Sequence, residues 1–260
     1  MFQTGLISVT FRQLPPERII ELAVQARLQA IEWGGDIHVP HGDLKRAAEV
    51  GARTREAGLQ TVSYGSYYRL GNRHAGQGEP IAFERVLETA EALGASAIRV
   101  WAGDRGSAAA DADWRSRVAE DARRVADLAA AKRISIDVEY HGGTLTDTAE
   151  SAVRLFTDIA HPNVRSHWQP QVRLTAEENE QALRQVLPWL ANLHVFQWLP
   201  DLRCPLADGR EEWRRYFAVA SPSEPDQVRY ALLEFVKGDE PAQLLEDAAT
   251  LHRLLEDVRA

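Results

Sequence analysis

Eight short apolar segments, each followed by a stretch with helical periodicity, dominate the 260-residue sequence. The segments are rich in β-branched and aromatic residues, which favours strands. The stretches between them repeat apolar residues every three to four positions, which favours helices. Eight strand–helix units in a chain of this length is the count of a closed (β/α)8 barrel. The sequence therefore predicts an α/β fold, a single TIM-barrel domain covering residues 1–260.

The apolar runs and the turn residues that follow them place the strands. We predict strands at 6–9, 30–33, 59–64, 97–101, 134–138, 164–167, 193–198 and 230–236. An open doubly wound sheet usually has fewer strands and a glycine-rich phosphate-binding turn after the first one. Here Thr10 to Gln13 follow the first strand, and the sequence contains no G-x-G-x-x-G. The pattern favours the closed barrel.

Proline, glycine and capping residues mark the helix boundaries. Asp43 is a candidate N-cap for a helix that Gly58 ends, and Thr175 has the capping-box spacing with Glu178. The segment from Gly65 to Glu79 contains four glycines and precedes a helix expected to begin at Pro80. A loop of this length is able to close over a pocket.

Composition excludes several classes of partner. The net charge is −8, and acidic and basic residues are mixed along the chain, which disfavours nucleic acid and anionic membranes. No apolar run approaches the roughly 18 residues that a membrane span requires. One cysteine, Cys204, fits a reducing compartment. The N-terminal segment leads directly into a strand without a basic region or cleavage site, so we expect a cytoplasmic protein.

Polar residues recur where the strands end, which in such a barrel is the face that carries the chemistry. Glu139 and His141 follow the fifth strand, His194 lies in the seventh and Glu234 in the eighth. Two glutamates and a histidine from three strands are able to hold one divalent cation. Carboxylates suit hard ions, and an imidazole shifts the preference towards Mn, Co or Zn. Taken singly, each residue fits a structural hydrogen bond equally well.

Four short segments occur in order along the chain. They are A-I-E-W-G-G-D-I-H-V-P-H-G-D (30–43), V-E-Y-H-G-G (138–143), L-H-V-F-Q-W (193–198) and L-L-E-F (232–235). With these segments the chain resembles the sugar phosphate isomerase/epimerase family, the xylose isomerase-like barrels that also include ketose 3-epimerases and endonuclease IV. The resemblance implies that Glu139, His194 and Glu234 bind one divalent metal (Mn, Zn, Co or Mg).

The sixth strand departs from the family pattern. Where the family has an aspartate ligand in L-D-x-x-H, this chain has S-H-W-Q-P-Q at 166–171. Gln169 offers an uncharged amide oxygen as the fourth ligand; alternatively, Trp168 stands at that position and offers none. Strand alternation is expected to point His167 away from the barrel axis. Loss of a carboxylate predicts a weakly bound metal.

Aromatic and basic residues near the strand ends are candidate substrate contacts. Tryptophans close four strands, and their flat rings suit stacking on a sugar, although they are equally able to plug the top of the barrel. Arg203 resembles a substrate-binding arginine of the epimerases, with a surface ion pair to Asp201 or Asp208 as the alternative. The candidate substrate residues are Trp33, His38, Trp101, His141, Trp168 and Arg203.

These observations predict an isomerase or epimerase of a small sugar, sugar acid or sugar phosphate. One of Glu139 and Glu234 removes a proton beside a carbonyl, and the other returns it, with a metal stabilising the enediolate. A lyase or dehydratase on a similar polyol remains open, as does a sugar-binding barrel without catalysis. Endonuclease IV-like activity is disfavoured, because it requires a three-zinc cluster and a basic surface. The partner is a small sugar, and an oligomer is possible.

Overall fold

The computed structural model describes residues 1–71, 81–224 and 226–259. Its strands in chain order are β1 (Phe2–Ile7), β2 (Ala30–Gly34), β3 (Gln60–Arg69), β4 (Ala97–Trp101), β5 (Ser135–Glu139), β6 (Val164–Trp168), β7 (Leu190–Val195), β8 (Gln197–Leu199), β9 (Leu202–Cys204) and β10 (Arg229–Leu233). In this part of the chain, eight of them form a closed parallel barrel in the order β1-β2-β3-β4-β5-β6-β7-β10. The strands β8 and β9 pair separately as an antiparallel hairpin. The predicted (β/α)8 barrel is confirmed.

Long helices alternate with the barrel strands. They are α1 (Pro16–Gln25), α2 (Leu44–Glu56), α3 (Phe83–Leu93), α4 (Ala112–Ala130), α5 (Ala149–Ile159), α6 (Ala176–Val186), α7 (Arg210–Ala220) and α8 (Pro241–Arg259). Asp43 caps α2 by accepting from the backbone N–H of Arg46, and Thr175 and Glu178 form both hydrogen bonds of the predicted capping box. None of the described helices is long and apolar enough to cross a membrane.

The third strand extends beyond its predicted end. It continues to Arg69 because a bulge between Gly65 and Tyr68 restores its pairing with β4, with Tyr67 in the left-handed region at φ 57°. The first five residues of the predicted loop are therefore strand. From position 72 the rest of that loop lies outside the described residues, and so does the predicted helix start at Pro80.

The seventh strand begins and ends three residues earlier than predicted. The apolar run of L-A-N-L-H-V pairs with both neighbours as β7, whereas Gln197 and Trp198 belong to the hairpin. This hairpin was not predicted. It places Trp198 beside the barrel mouth rather than inside a barrel strand.

The core of the protein lies between the barrel and the surrounding helices, where most of the buried apolar side chains form one cluster. Two helices approach each other closely in this layer. A Cβ at Gly51 of α2 would overlap the backbone carbonyl oxygen of Leu93 in α3. The contact therefore requires glycine at position 51, although alanine is the better helix former.

Candidate active site

Neighbouring barrel strands place polar side chains at positions two residues apart. Successive side chains of a strand point to opposite faces, so residues two apart share a face. The hydrogen bonds among these side chains place the shared face inside the barrel. The pairs are Arg99 and Trp101 on β4, Asp137 and Glu139 on β5, His167 on β6 with Gln169 directly after that strand, and Asn192 and His194 on β7.

Arg99 links two glutamates in the barrel interior. Its Nε donates to Oε1 of Glu32 at 2.7 Å, and its Nη1 donates to Oε2 of Glu139. All three side chains are buried. Burial acts to lower the pKa of Arg99, but the charges of Glu139 and Glu32 outweigh it and raise that pKa well above its usual value. The guanidinium is therefore a permanent positive charge between two carboxylates.

Glu139 accepts hydrogen bonds from three neighbours on the adjoining strands. Arg99 and the indole Nε1 of Trp101 both donate to its Oε2. The amide Nε2 of Gln169 donates to Oε1 over 3.3 Å. These donors compensate the buried charge and fix the orientation of the carboxylate.

His194 faces two carboxylates with a ring nitrogen that makes no hydrogen bond. Its Nδ1 lies 3.7 Å from Oε1 of Glu139 and 3.6 Å from Oε2 of Glu234, and it has no partner within the described part of the chain. Burial, reinforced by the charges of His167 and Arg99, holds the pKa of His194 well below its usual value. The ring is therefore neutral and has a lone pair available.

Glu234 is buried at the same point but is held differently from Glu139. Among the described residues, none donates a hydrogen bond to its carboxylate. Burial raises the pKa of Glu234 to about 8, with a further contribution from the charge of Glu139. Two carboxylates that face one point without a cation between them repel each other.

The expectation that His167 points away from the barrel axis is wrong. Its Nδ1 lies 3.1 Å from Nε2 of His194, and its Nε2 lies 3.0 Å from Oδ2 of Asp137. The physical reason is strand alternation counted from Gln169. Since Gln169 faces Glu139 inside the barrel, His167 two residues earlier faces inward as well.

The donor atoms fit a divalent cation. A buried nitrogen lone pair without a partner, next to two carboxylates, is a typical ligand set for Mn, Zn or Co. A second set lies directly below it, where ligand atoms of Glu32, His167 and His194 are all within 4.8 Å of one another. Oε2 of Glu32 also has no hydrogen-bond partner among the described residues. The two sets share His194, through its opposite ring nitrogens.

We call Glu139, His194 and Glu234 the upper set, and Glu32, His167 and His194 the lower set. A cavity of about 260 Å³ opens above the upper set. Its wall includes Glu139, His141, Gln169, Trp198 and Glu234. The lower set is sealed, since all three of its side chains are 0% exposed. A ligand that enters the cavity therefore reaches the two carboxylates that flank His194, and not the lower set.

The structure brings some of the predicted substrate residues to this cavity. His141 lines it and stacks against Trp101, with 4.8 Å between ring centroids. Arg203 lies over the rings of Trp198 and Phe235, which line the cavity. It forms its ion pair with Asp239, and not with Asp201 or Asp208.

Three of the predicted substrate residues do not reach the cavity. Trp33 and Trp168 are fully buried, and the indole of Trp33 donates to Thr54 of α2. Trp168 packs against Tyr140 and Tyr216, since its side chain points outward from β6. His38 is buried between the hydroxyl of Ser8 and the backbone carbonyl of Leu14. These three side chains fill the region around the barrel strands.

Residues 20–202 match the family model of the xylose isomerase-like TIM barrel. The chain belongs to this family. The family membership predicted from the four ordered segments is therefore confirmed. Among curated members, a 3-dehydroshikimate dehydratase from Bacillus anthracis is 27% identical over 125 residues, which is 43% of this chain and 43% of that relative. The alignment thus spans less than half of the relative.

Solved structures with the same barrel cover nearly the whole chain. A probable 3-DHS dehydratase from Bacillus anthracis, described as involved in petrobactin synthesis, has a TM-score of 0.76 at 18% identity, covering 97% of this chain and 99% of its own. A D-psicose 3-epimerase solved in the presence of D-fructose has a TM-score of 0.69 at 16% identity, with coverage of 97% and 99%. A xylose isomerase-like barrel from Mycobacterium smegmatis in complex with magnesium has a TM-score of 0.71 at 16% identity, with coverage of 99% and 98%. At these identities the likeness shows the fold.

Besides Glu32 and Arg99, three interior residues of this xylose isomerase-like barrel were not among the predicted site residues. They are Asp137, His167 and Asn192, which lie two positions before Glu139, Gln169 and His194. A signal for them is present in the sequence. A polar residue two positions before a predicted inward ligand shares its face of the strand. Applied to β5, β6 and β7, this rule identifies all three.

Proposed function

We propose that this protein catalyses proton transfer at the carbon beside a carbonyl group in a small polyhydroxylated substrate, as an isomerase or epimerase. The observation that carries the proposal is the pair of buried carboxylates, Glu139 and Glu234, on either side of the unpartnered Nδ1 of His194. A proton that leaves one position and arrives at another requires two acid/base groups. Each such group contributes about 10²–10⁴-fold to the rate.

A divalent cation fits the upper ligand set, with Glu139, Gln169, His194 and Glu234 as the residues that hold it. The upper set is chosen because it borders the cavity, whereas the lower set is closed to a substrate. When bound, such a cation polarises the substrate carbonyl and stabilises the negative charge that forms as the proton leaves. Gln169 presents its amide nitrogen to Glu139 in this structure and contributes no charge, which supports weak binding.

The two glutamates differ in how tightly they are held, which supports different roles. Glu139 is fixed by three donors, so its oxygens are already engaged before a substrate arrives. Glu234 accepts no hydrogen bond from the described residues and lies in the cavity wall. We therefore expect the side chain of Glu234 to move more when it takes up or releases the proton. Glu139 stays in place as the second acid/base group.

Aromatic side chains at the cavity support a sugar or sugar acid as the substrate class. Trp198, Phe235 and His141 all line the cavity. Flat apolar rings stack on the C–H faces of sugars, while the carboxylates and the amide of Gln169 match hydroxyl groups. His141 is thus the predicted substrate residue that the cavity geometry favours most.

A dehydratase is a second candidate, favoured by one observation. The curated 3-dehydroshikimate dehydratase shares 27% identity over 125 residues of this chain. Elimination of water starts with the same proton abstraction. It differs only afterwards, because a hydroxyl group on the next carbon leaves as water instead of the proton returning. The same two carboxylates serve both reactions, so the products have to separate them.

Incubation in D₂O tests the proposal and separates the two candidates. The Mn-supplemented protein is offered ketoses, ketose phosphates, hydroxypyruvate and 3-dehydroshikimate, and the products are followed by NMR and mass spectrometry. Isomerisation or epimerisation replaces a substrate hydrogen with deuterium and leaves the rest of the composition unchanged. Dehydration gives a product lighter by one water. If ligands bind and none exchanges a hydrogen or loses water, the chain is a sugar-binding barrel without catalysis.

A further inference from the structure

Three buried side chains form a line beneath the proposed site. Oδ2 of Asp137 lies 3.0 Å from Nε2 of His167, and Nδ1 of His167 lies 3.1 Å from Nε2 of His194. Asp137 is 1% exposed and both histidines are 0% exposed. Because water does not reach these atoms, the neighbouring side chains decide which nitrogen of each ring carries the hydrogen.

Asp137 determines which ring nitrogen of His167 carries the hydrogen. An ionised carboxylate only accepts hydrogen bonds. The hydroxyl of Ser135 donates to its Oδ1 at 2.9 Å, and Nε2 of His167 is the ring nitrogen next to Oδ2. The hydrogen of His167 is therefore on Nε2, and its Nδ1 is left as an acceptor.

Asn192 offers a competing arrangement. Its Oδ1 accepts from the backbone N–H of Tyr230 at 2.8 Å, which turns its Nδ2 towards Nε2 of His167 at 3.0 Å. Donation from Asn192 would need a bare Nε2, and that lone pair would then face the carboxylate of Asp137. A buried charge that loses its donor costs more than an amide hydrogen that loses its acceptor. The Asp137 arrangement is therefore the more stable one.

We propose that Asp137 and His167 are positioning residues that hold His194 in the tautomer with its hydrogen on Nε2, so that the lone pair of Nδ1 is presented to a divalent cation. The inference rests on the proposed function, because it takes the cation to lie between Glu139 and Glu234. Nε2 of His194 is the ring nitrogen within hydrogen-bond distance of the acceptor on His167, at 3.1 Å. A hydrogen on Nδ1 would occupy the lone pair that a cation requires.

The tautomer is measurable without metal. Long-range ¹H–¹⁵N NMR of the metal-free, ¹⁵N-labelled protein distinguishes a protonated from a bare ring nitrogen, and a His194→Gln variant identifies the signals of His194. The expected result is a neutral His194 with hydrogen on Nε2. A wild-type spectrum with the hydrogen on Nδ1 overturns the proposal, whether or not any variant folds.

A matched pair of substitutions tests the role of His167. In His167→Asn, the amide oxygen stands near the former Nδ1 and still accepts from His194, so Mn affinity measured by calorimetry should stay within about threefold of wild type. His167→Leu keeps a similar shape without an acceptor, and Mn affinity should fall by about 10–100-fold. Asp137→Asn should reduce affinity by a similar factor and shift the His194 hydrogen towards Nδ1. Equal affinity in the asparagine and leucine variants, with both folded, contradicts the positioning role.

The tautomer of His194 and the cation site are tested by separate measurements. If the wild type shows the expected tautomer but calorimetry detects no Mn binding, the cation site of the proposed function is wrong, while the hydrogen-bond line is confirmed. If Mn binds tightly and the tautomer is the opposite one, the site is confirmed and the positioning role is wrong.

Discussion

Nε of Arg99 lies 2.7 Å from Oε1 of Glu32, and both side chains are closed to solvent. The same guanidinium also reaches Glu139, so one cation balances two buried carboxylates that come from strands on either side of it. Breaking such a pair leaves uncompensated charge in a low-dielectric interior. The polar interior of this barrel therefore depends on Arg99.

Replacement of Arg99 should destabilise the fold strongly. Arg99→Met leaves Glu32 and Glu139 without their shared counter-ion, and the free energy of unfolding should fall by about 3–5 kcal/mol. Urea denaturation gives this value. Arg18→Met is the control, because Arg18 pairs with Glu21 on the surface of α1, where such a pair contributes about 0–1 kcal/mol. Equal losses in the two variants would show that the buried ion pairs of Arg99 contribute no more to the free energy of unfolding than a surface pair.

The fold was predictable from the sequence because its signal is repeated eight times. Each strand–helix unit carries its own periodicity, so the misplaced ends of β3 and β7 do not change the count. The bulge in β3, where Tyr67 adopts a positive φ, has no such local signal, because tyrosine is not a residue that usually marks this conformation. Strand ends are therefore the least predictable part of the fold.

The candidate site was predictable where one strand end sufficed, and not where two strands had to be aligned. Glu139, His194 and Glu234 follow from the position of each strand end, and their roles as ligands stay a prediction. The pairing of Arg99 with Glu32 joins residues 67 positions apart. The inward direction of His167 depends on which residue of β6 faces the barrel axis. Alternation gives this direction once Gln169 is known to face inward, but the sequence left Gln169 and Trp168 as alternatives for that position.

Substitution of Gly51 tests the close approach of two helices. Gly51→Ala improves helix propensity by about 1 kcal/mol. The new Cβ overlaps the carbonyl oxygen of Leu93, and backbone overlap of this kind typically costs about 1–3 kcal/mol. We expect net destabilisation in thermal unfolding. Gly142→Ala is the control, since nothing lies within 4 Å of its Cβ position. A stabilised Gly51→Ala variant would mean that α2 and α3 separate easily.

Removal of the indole hydrogen of Trp101 tests the support of Glu139. Trp101→Phe retains a ring against His141 but loses the hydrogen bond to Oε2 of Glu139. A hydrogen bond to a charged group contributes about 1.5–3 kcal/mol, so kcat/KM should fall by about 10–100-fold. Trp189→Phe is the control, because its ring stacks on Phe156 and does not line the cavity. Equal effects on kcat/KM would assign Trp101 a packing role only.

A carboxylate at position 169 should strengthen metal binding. Gln169→Glu keeps the length of the side chain and adds the negative charge that the amide lacks, so Mn affinity should rise by about tenfold. Without metal, the new charge faces Glu139 and should lower the midpoint of thermal unfolding, while saturating Mn should raise it. Gln169→Asp should show a similar gain if the shorter side chain reaches the ion.

The control for position 169 is Gln25→Glu, which makes the same charge change on the exposed end of α1. Its Mn affinity and thermal midpoint should match those of the wild type. If neither substitution at position 169 changes Mn affinity, Gln169 is not a ligand of the cation.

The two glutamates decide between an enzyme and a binding barrel. Glu139→Gln and Glu234→Gln keep an oxygen that ligates but remove the ability to carry a proton, so each should lower kcat by about 10²–10⁴-fold. The double variant should lose little more than the worse single variant, because groups that act as one unit are not additive. Mn content is measured in each variant, and Glu49→Gln on the surface of α2 is the control. Deuterium exchange from D₂O that survives in one single variant, without net conversion, identifies the other glutamate as the group that removes the proton. Full turnover in both variants would eliminate the two-carboxylate mechanism.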